Sequence, residues 1–549
     1  MLNVAQYQVL ELDFESERTY RVPFGEVVLD LVISGPDGGK RRLPAFWAGG
    51  NRWCARFSSG LAGVHRFRTI CSDGDNPALH DIHGEIKVAD VHEACHSRYQ
   101  HGAIEVAPGG RYFQHLDGTP FFWLGDTWWM GFCSRIAWPE DFQALTLDRQ
   151  RKGFTVVQIV MGLYPDMPPF DPRGANEGGF PWMDDTYACI NPDYFTYVDR
   201  RVQWLAEHGI VPCIVGFWGY YLDFMGLEKC KQFWRYIVAR YGAFPTCWCL
   251  AGEAMMPYYL APEFQPPDAW FEKGKAKLAQ WSELAAYVQA LDPYDRPITL
   301  HPTFEKQART QLDQPELLDF DMTQAGATQN FFPGIIRVLR EGLAMQPPRP
   351  TFTGEACYEG IGGTSHEDTQ RLCFWGCILS GAKAHTYGAN GLWQANNPQF
   401  PHGASPWGVV YGGPAVLEAA ALLGSAQLGL GRKLLERYPW WELEPHQEWL
   451  DYGALCAVYS ADAAPYYVPY AAGIPGELRI VYFSTPWQMA HLKGVKGFEP
   501  GVAYRGFFFD PRTGHETDLG NIAPDETGYW PVPLPPVLQD FVIVFEAIH

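Results

Sequence analysis

Two glutamates stand in matching settings, each closing a short apolar run directly behind a glycine. Glu253 ends the run in CWCLAGEA (247–254), and Glu355 ends it in PTFTGEACYE (350–359). Two carboxyl groups facing one cleft can divide a cleavage reaction between them. One protonates the leaving oxygen of a glycosidic bond, while the other attacks the anomeric carbon or activates water. Taken singly, either glutamate is better explained by pairing with an arginine or capping a loop. The repeated G-E context favours the joint role.

Aromatic residues are the second signal. The chain has 21 Trp, 28 Tyr and 34 Phe, 15% of its 549 residues. Trp and Tyr present flat apolar faces with polar tips, which suit sugar rings as well as large cores. Many of them lie beside Gly, Pro and Asn in apparent loops, which favours a binding cleft.

The glutamates need elements to hold them opposite each other. From Phe121 onward, short apolar runs alternate with helical patterns. The runs are 121–129, 155–163, 210–218, 247–254, 297–303, 319–327, 350–359 and 384–393. Helical periodicity precedes most of them, as in PDYFTYVDRRVQWLAEHG before the third; the link between the fifth and sixth runs carries the weakest helical pattern. Eight strand–helix pairs predict an α/β fold, a (β/α)8 TIM barrel over residues 101–432. An open doubly wound sheet would favour a Gly-rich phosphate loop after the first strand, and GDTWWMG is not one. Residues 1–100 and 433–549 instead read as turn-bounded short strands, RTYRVPFGEVVLDLVIS and ELRIVYFSTP among them. They predict β-sandwich modules flanking the barrel, the second including a strand in ALCAVYSAD (454–462).

In such a barrel the chemistry sits where the strands end. Strands four and seven then place Glu253 and Glu355 across one mouth. The other strand ends supply candidate substrate contacts. Asp126 suits a sugar hydroxyl or a loop-fixing role. Trp128, Trp218 and Trp393 are rival stacking platforms. His301 suits substrate, Glu253 or a structural bond, and Tyr358 suits orienting Glu355 or packing. Gln324 and Tyr387 complete the set, and Glu359 is a less favoured nucleophile because it lies past the strand end. The long stretch 164–190, with Trp182, Asp184 and Asp185, and the segment 255–273 are expected pocket walls.

Composition narrows the classes. A net charge of −20 with no basic stripe opposes nucleic-acid binding. No apolar run has the roughly 18 residues of a membrane span. The N-terminus lacks a basic segment leading into an apolar one, so a cytoplasmic location is expected. The 13 cysteines are scattered without a CxxC pair, which predicts reduced, mostly buried thiols. No metal is expected: Asp184–Asp185 lacks calcium-loop spacing, and LGDTWW lacks the HxH of a metal-dependent barrel hydrolase.

Several motifs resemble a known family. LGDTWW, the Gly153–Gln158 pattern, the GE after strand four, LHPT, DFDMTQAG, GEACYE and GAKAHTYG look like the apiosidase-like glycoside hydrolases. That family was long described only as a domain of unknown function, within or near the large clan of retaining (β/α)8 glycoside hydrolases. The resemblance covers roughly residues 100–430. It implies that Glu253 is the general acid/base and Glu355 the nucleophile. Two positions depart from the pattern. Gly252 stands where the broad clan has Asn, and Glu253 stands where the apiosidase branch carries Asp, a change that bears on which sugar is held.

The expected function is therefore a retaining, exo-acting glycoside hydrolase that cleaves small oligosaccharides or glycosides by double displacement. It needs no cofactor. Its partner is a small-molecule carbohydrate, with no nucleic acid and no membrane, and a homo-oligomer is compatible with the sequence. A catalytically silent carbohydrate-binding protein on the same barrel is the alternative. The Glu253 and Glu355 carboxyl carbons are expected about 5–5.5 Å apart, the retaining spacing.

Overall fold

The fold is described from a computed structural model covering all residues except 91–100, 261–271, 273, 405–410, 454–461 and 485–490. The strand expected within 454–462 and most of the far end of the 255–273 wall therefore lie outside the described residues.

All eight expected central strands form. They are Trp123–Thr127, Val156–Val160, Val211–Val215, Cys247–Cys249, Ile298–Thr299, Asp321–Gln324, Thr351–Glu355 and Ala384–Tyr387. Six of them make one parallel sheet in the order fifth, fourth, third, second, first, eighth. The sixth and seventh pair in parallel in a second ladder. The continuous closed ladder expected of a barrel is thus interrupted on both sides of the sixth–seventh pair. Other bonds span one break: the Asp319 N–H donates to the Ile298 carbonyl at 2.8 Å, and the Thr299 hydroxyl to the Phe320 carbonyl at 2.8 Å.

Helices lie between most strands, for local reasons. Pro192–Glu207 begins at Asn191, whose side chain accepts from the Asp193 amide, and has a proline in its first turn. Its buried Tyr194, Phe195, Val198, Val202 and Leu205 recur at helical spacing. Gly209, at φ +68°, supplies the left-handed residue that ends it. Between the fifth and sixth strands, however, there is no α-helix. Two single 3-10 turns, Ala308–Thr310 and Pro315–Leu317, make the crossover. A short strand, Lys306–Gln307, pairs antiparallel with the sixth.

Much of the aromatic content is packing. A three-stranded hairpin sheet (Ile104–Val106, Phe113–His115, Pro120–Phe121) leads into the first strand. Its Phe113 stacks on Trp123 at 5.3 Å and meets Phe320 and Phe352 edge-on. These rings pack against one another among the central strands.

The N-terminal residues form two sheets, one of five strands and one of three. Leu12, Phe14, Leu31, Trp53, Phe57 and Ile86 fill the space between them. The last hundred residues form a six-stranded and a three-stranded antiparallel sheet around Trp449, Val481, Phe508, Ile543 and Phe545. Both ends are tied to the central unit by buried ion pairs. Arg56 and Arg240 both hold Asp199. Although burial opposes the charge, these guanidiniums hold the Asp199 carboxyl down to about 2. Arg371 grips Asp540 through two hydrogen bonds of 2.6 and 2.8 Å.

Candidate active site

Side chains alternate along a strand, and that alternation decides which strand-end residues meet. On the first strand, the Trp123 indole donates to Thr386 at 3.3 Å, and a Cβ on Gly125 would collide with Trp123. These odd-numbered positions face the interior, and Trp129 continues their phase. Asp126 and Trp128 face outward. Asp126 is fully buried, accepting from Arg149 Nε at 2.6 Å, the Trp128 indole at 2.7 Å and the Thr127 amide at 2.9 Å. Trp128 packs edge-on against Phe142. Tyr387 also faces outward: its hydroxyl donates to Glu359 at 2.5 Å, and Arg149 lies over its ring. The expectation of substrate contact is not met for Asp126, Trp128 and Tyr387. Together with Arg149 and Glu359 they form a buried network behind the strands. Glu359 also accepts from the Gly424 amide at 3.0 Å.

The fourth strand sends Trp248 outward to Trp234 and Asp292, so the opposite phase, ending at Glu253, points inward. Glu253 has φ +42°, a left-handed backbone that a non-glycine residue holds only where its surroundings impose it. Gly252 accounts for the departure from Asn. A Cβ there would lie 2.2 Å from the Trp218 ring, which rests on the bare backbone.

On the seventh strand the inward phase falls on Phe352 and Gly354, which would turn Glu355 away. A bulge reverses this. Thr323 pairs with Thr353 but Gln324 pairs with Glu355, so Gly354 is the extra residue. The bulge re-aims Glu355 onto the face of its partner Gln324.

Glu253 and Glu355 thereby share a cavity of about 160 Å³, with Trp218, Gln324, Tyr358 and Trp393 from the expected set. Trp218 Nε1 donates to Glu253 Oε2 and Gln324 Nε2 to Glu253 Oε1, both at 3.3 Å. Buried His301 lies behind the cavity with Nε2 3.2 Å from Glu355 Oε2, so its partner is Glu355 rather than Glu253. Tyr358 hydrogen-bonds Glu355 and stacks on Trp393, with ring centres 5.8 Å apart and planes 15° apart.

Three residues on the cavity wall escape a reading by strand ends alone. Trp129 donates to the Tyr358 hydroxyl at 2.9 Å and meets Trp218 and His301 edge-on. Period-two counting from Trp123 would have found it. Tyr411 enters from the stretch beyond the eighth strand. Asp166, from the 164–190 stretch, brings a third carboxyl. Trp182 of that stretch is instead buried against Phe233 and Tyr187, and Asp184 and Asp185 are exposed. The near part of the 255–273 segment contributes Met256 and Tyr259.

Three carboxyls in one small cavity cannot all ionise at ordinary pH. Burial, then the charges of Glu355 and Asp166, push Glu253 up to about 8, against the pull of Gln324 and Trp218. Burial chiefly, with Glu355 adding to it, pushes Asp166 up to about 6 despite a hydrogen bond from Tyr259. Larger cavities exist below the strands and beside the C-terminal sheets, about 300 and 410 Å³. Neither joins carboxyls from opposed strand ends.

The sequence matches the apiosidase-like catalytic domain over residues 107–442, more than half of the chain and inclusive of both glutamates. The chain belongs to the apiosidase-like family. At the family level it is a glycoside hydrolase. Residues 3–72 match a separate domain of unknown function, DUF5060. Solved structures share the fold. A putative glycoside hydrolase from Bacteroides vulgatus is 17% identical, with a TM-score of 0.68 and coverage of 100% of both chains. A protein named glycoside hydrolase is 20% identical, with a TM-score of 0.65 over 82% of this chain and 98% of the other. A family 5 glycoside hydrolase from Bacteroides vulgatus is 18% identical, with a TM-score of 0.64 over 82% and 95%. No curated protein matches the sequence at a significant level. No helix among the described residues of this apiosidase-like chain is long and apolar enough to cross a membrane.

Proposed function

We propose that the protein is a retaining, exo-acting glycoside hydrolase on a (β/α)8 barrel at residues 101–432, flanked by β-sandwich modules at 1–100 and 433–549. The observation that carries this reading is that Glu253 and Glu355, from opposed strand ends, share one cavity in which burial and neighbouring charge push Glu253 up. Glu253, held near 8, keeps its proton at neutral pH and can pass it to the leaving oxygen. Glu355, hydrogen-bonded by His301 Nε2 and Tyr358, is oriented to attack the anomeric carbon. Attack forms a glycosyl–Glu355 ester and releases the aglycone with the Glu253 proton. Glu253, now a base, takes a proton from water, whose oxygen displaces Glu355 with net retention.

The exo reading draws support from the long stretches after the second and fourth strands, which wall the cavity with Asp166, Met256 and Tyr259. Trp218 and the Tyr358–Trp393 stack offer apolar walls, and Gln324 Oε1 has no hydrogen-bond partner among the described residues. A cytoplasmic setting belongs to the same proposal. The eleven described cysteines are all free thiols, as in a reducing compartment.

The test is a panel of nitrophenyl glycosides followed by NMR of the first-formed anomer. Glu355→Gln should abolish turnover for every leaving group. Glu253→Gln should spare activated aryl glycosides, which need no proton in the first step. Binding without hydrolysis across the panel would instead make the protein a silent carbohydrate binder, and first-formed product of inverted configuration would refute double displacement.

A further inference from the structure

Asp166 has no part in the two-glutamate scheme, yet its carboxyl enters the same cavity. Its backbone sits at φ +59°, in the left-handed region, and two tyrosines from distant parts of the chain hold it there. The Tyr259 hydroxyl accepts from the Asp166 amide at 2.6 Å and donates to Oδ1 at 2.8 Å. The Tyr411 hydroxyl donates to Oδ2 at 3.5 Å. Asp126 shows what a purely structural aspartate looks like here: an arginine, an indole N–H and an amide enclose it. Asp166 forms no salt bridge among the described residues: Arg173, whose charge acts on it through space, is paired with Asp171 at 2.8 Å and does not line the cavity. Its clamped oxygens keep lone pairs for a further donor.

We propose that Asp166 is a specificity-determining residue, accepting hydrogen bonds from hydroxyls of the sugar ring held between Glu253 and Glu355 and restricting the pocket to neutral glycosides. The inference rests on the hydrolase reading for what the pocket holds. A carboxylate accepts from two neighbouring hydroxyls at once, and such bonds to a charged acceptor are stronger than neutral ones. A ring carboxylate or sulfate would face Asp166 and Glu355, and Arg173, the cation that acts on Asp166 through space, is already taken up by Asp171, so uronosides and sulfated sugars are disfavoured. Burial, then the Glu355 charge, push Asp166 up to about 6 against the pull of Tyr259, Tyr411 and Arg173, with Glu253 also facing it, so the hydroxyl contact strengthens above that pH and weakens below it.

Wild-type protein and Asp166→Asn are compared on the best neutral aryl glycoside and on its uronoside. The wild type should favour the neutral substrate by about 100-fold or more in kcat/KM, a charge discrimination in a small desolvated site. Asp166→Asn should raise KM for the neutral substrate by about tenfold with a smaller fall in kcat, the mark of a contact already made in the ground state. It should also abolish the rise of KM below pH 6. Equal use of the uronoside by wild type, or a KM change under about twofold in the variant, overturns the proposal. The wild-type preference is read without any variant, so a folding defect in Asp166→Asn cannot mask the answer. Saturation-transfer NMR with the free neutral sugar separates this reading from the hydrolase reading. Binding that depends on Asp166 without any hydrolysis sinks only the hydrolase; hydrolysis indifferent to Asp166 sinks only this proposal.

Discussion

Glu253→Gln should stabilise the protein, and should do so increasingly as pH rises. The native Glu253 carboxyl keeps its proton up to about 8, whereas the unfolded chain releases it near 4.5. Between those values the native state binds more protons than the unfolded state, so this group makes stability fall with rising pH. Below 4.5 both states are protonated and the contribution is flat; above 8 both are ionised and the loss is complete. At about 1.4 kcal/mol per pH unit, the interval from pH 5 to pH 8 is worth about 4 kcal/mol, or about 2 if water at the pocket mouth screens the charge. Glutamine keeps the shape and does not titrate. The assay is urea unfolding of wild type and variant at pH 5, 6, 7, 8 and 9. Any constant change from altered hydrogen bonds with Trp218 and Gln324 cancels when the two ends of the series are compared. The stability gap should widen in favour of the variant up to pH 8 and then level off. A gap independent of pH would refute the argument that burial and the two neighbouring carboxylates hold Glu253 neutral, and with it the assignment of Glu253 as the proton donor.

Other consequences follow from the same geometry. Gly252→Ala places a methyl 2.2 Å from the Trp218 ring, so the indole must leave Glu253; kcat/KM should fall by about 100-fold, as for misplacement of a catalytic group by an ångström. Trp128→Ala should cost about 3–5 kcal/mol in unfolding free energy, because the ring is fully buried outside the cavity, while kcat/KM per folded molecule stays within about twofold. Arg149→Met strands the Asp126 carboxylate and should cost about 3–5 kcal/mol, and adding Asp126→Asn should restore part of it in a double-mutant cycle.

The linear order of residues determined a good deal of this site. Apolar runs and helical spacing located the eight central strands, because periodicity reports which face of an element is buried. The glycine-preceded strand ends singled out Glu253 and Glu355. Even the separation of Trp129 from Asp126 and Trp128 is local information, carried by a period of two from Trp123. Other features depended on parts of the chain far apart. The direction of Glu355 follows from a bulge at Gly354, which exists only in the pairing of the sixth and seventh strands. His301 came to Glu355, and Tyr259 and Tyr411 came to Asp166, because segments after separate strand ends converge on one cavity. The proton on Glu253 is a further product of that convergence. Its acidity is set by burial and by charges brought in by the second and seventh strand ends, and electrostatic energy depends on distance through space, which spacing along the chain does not specify.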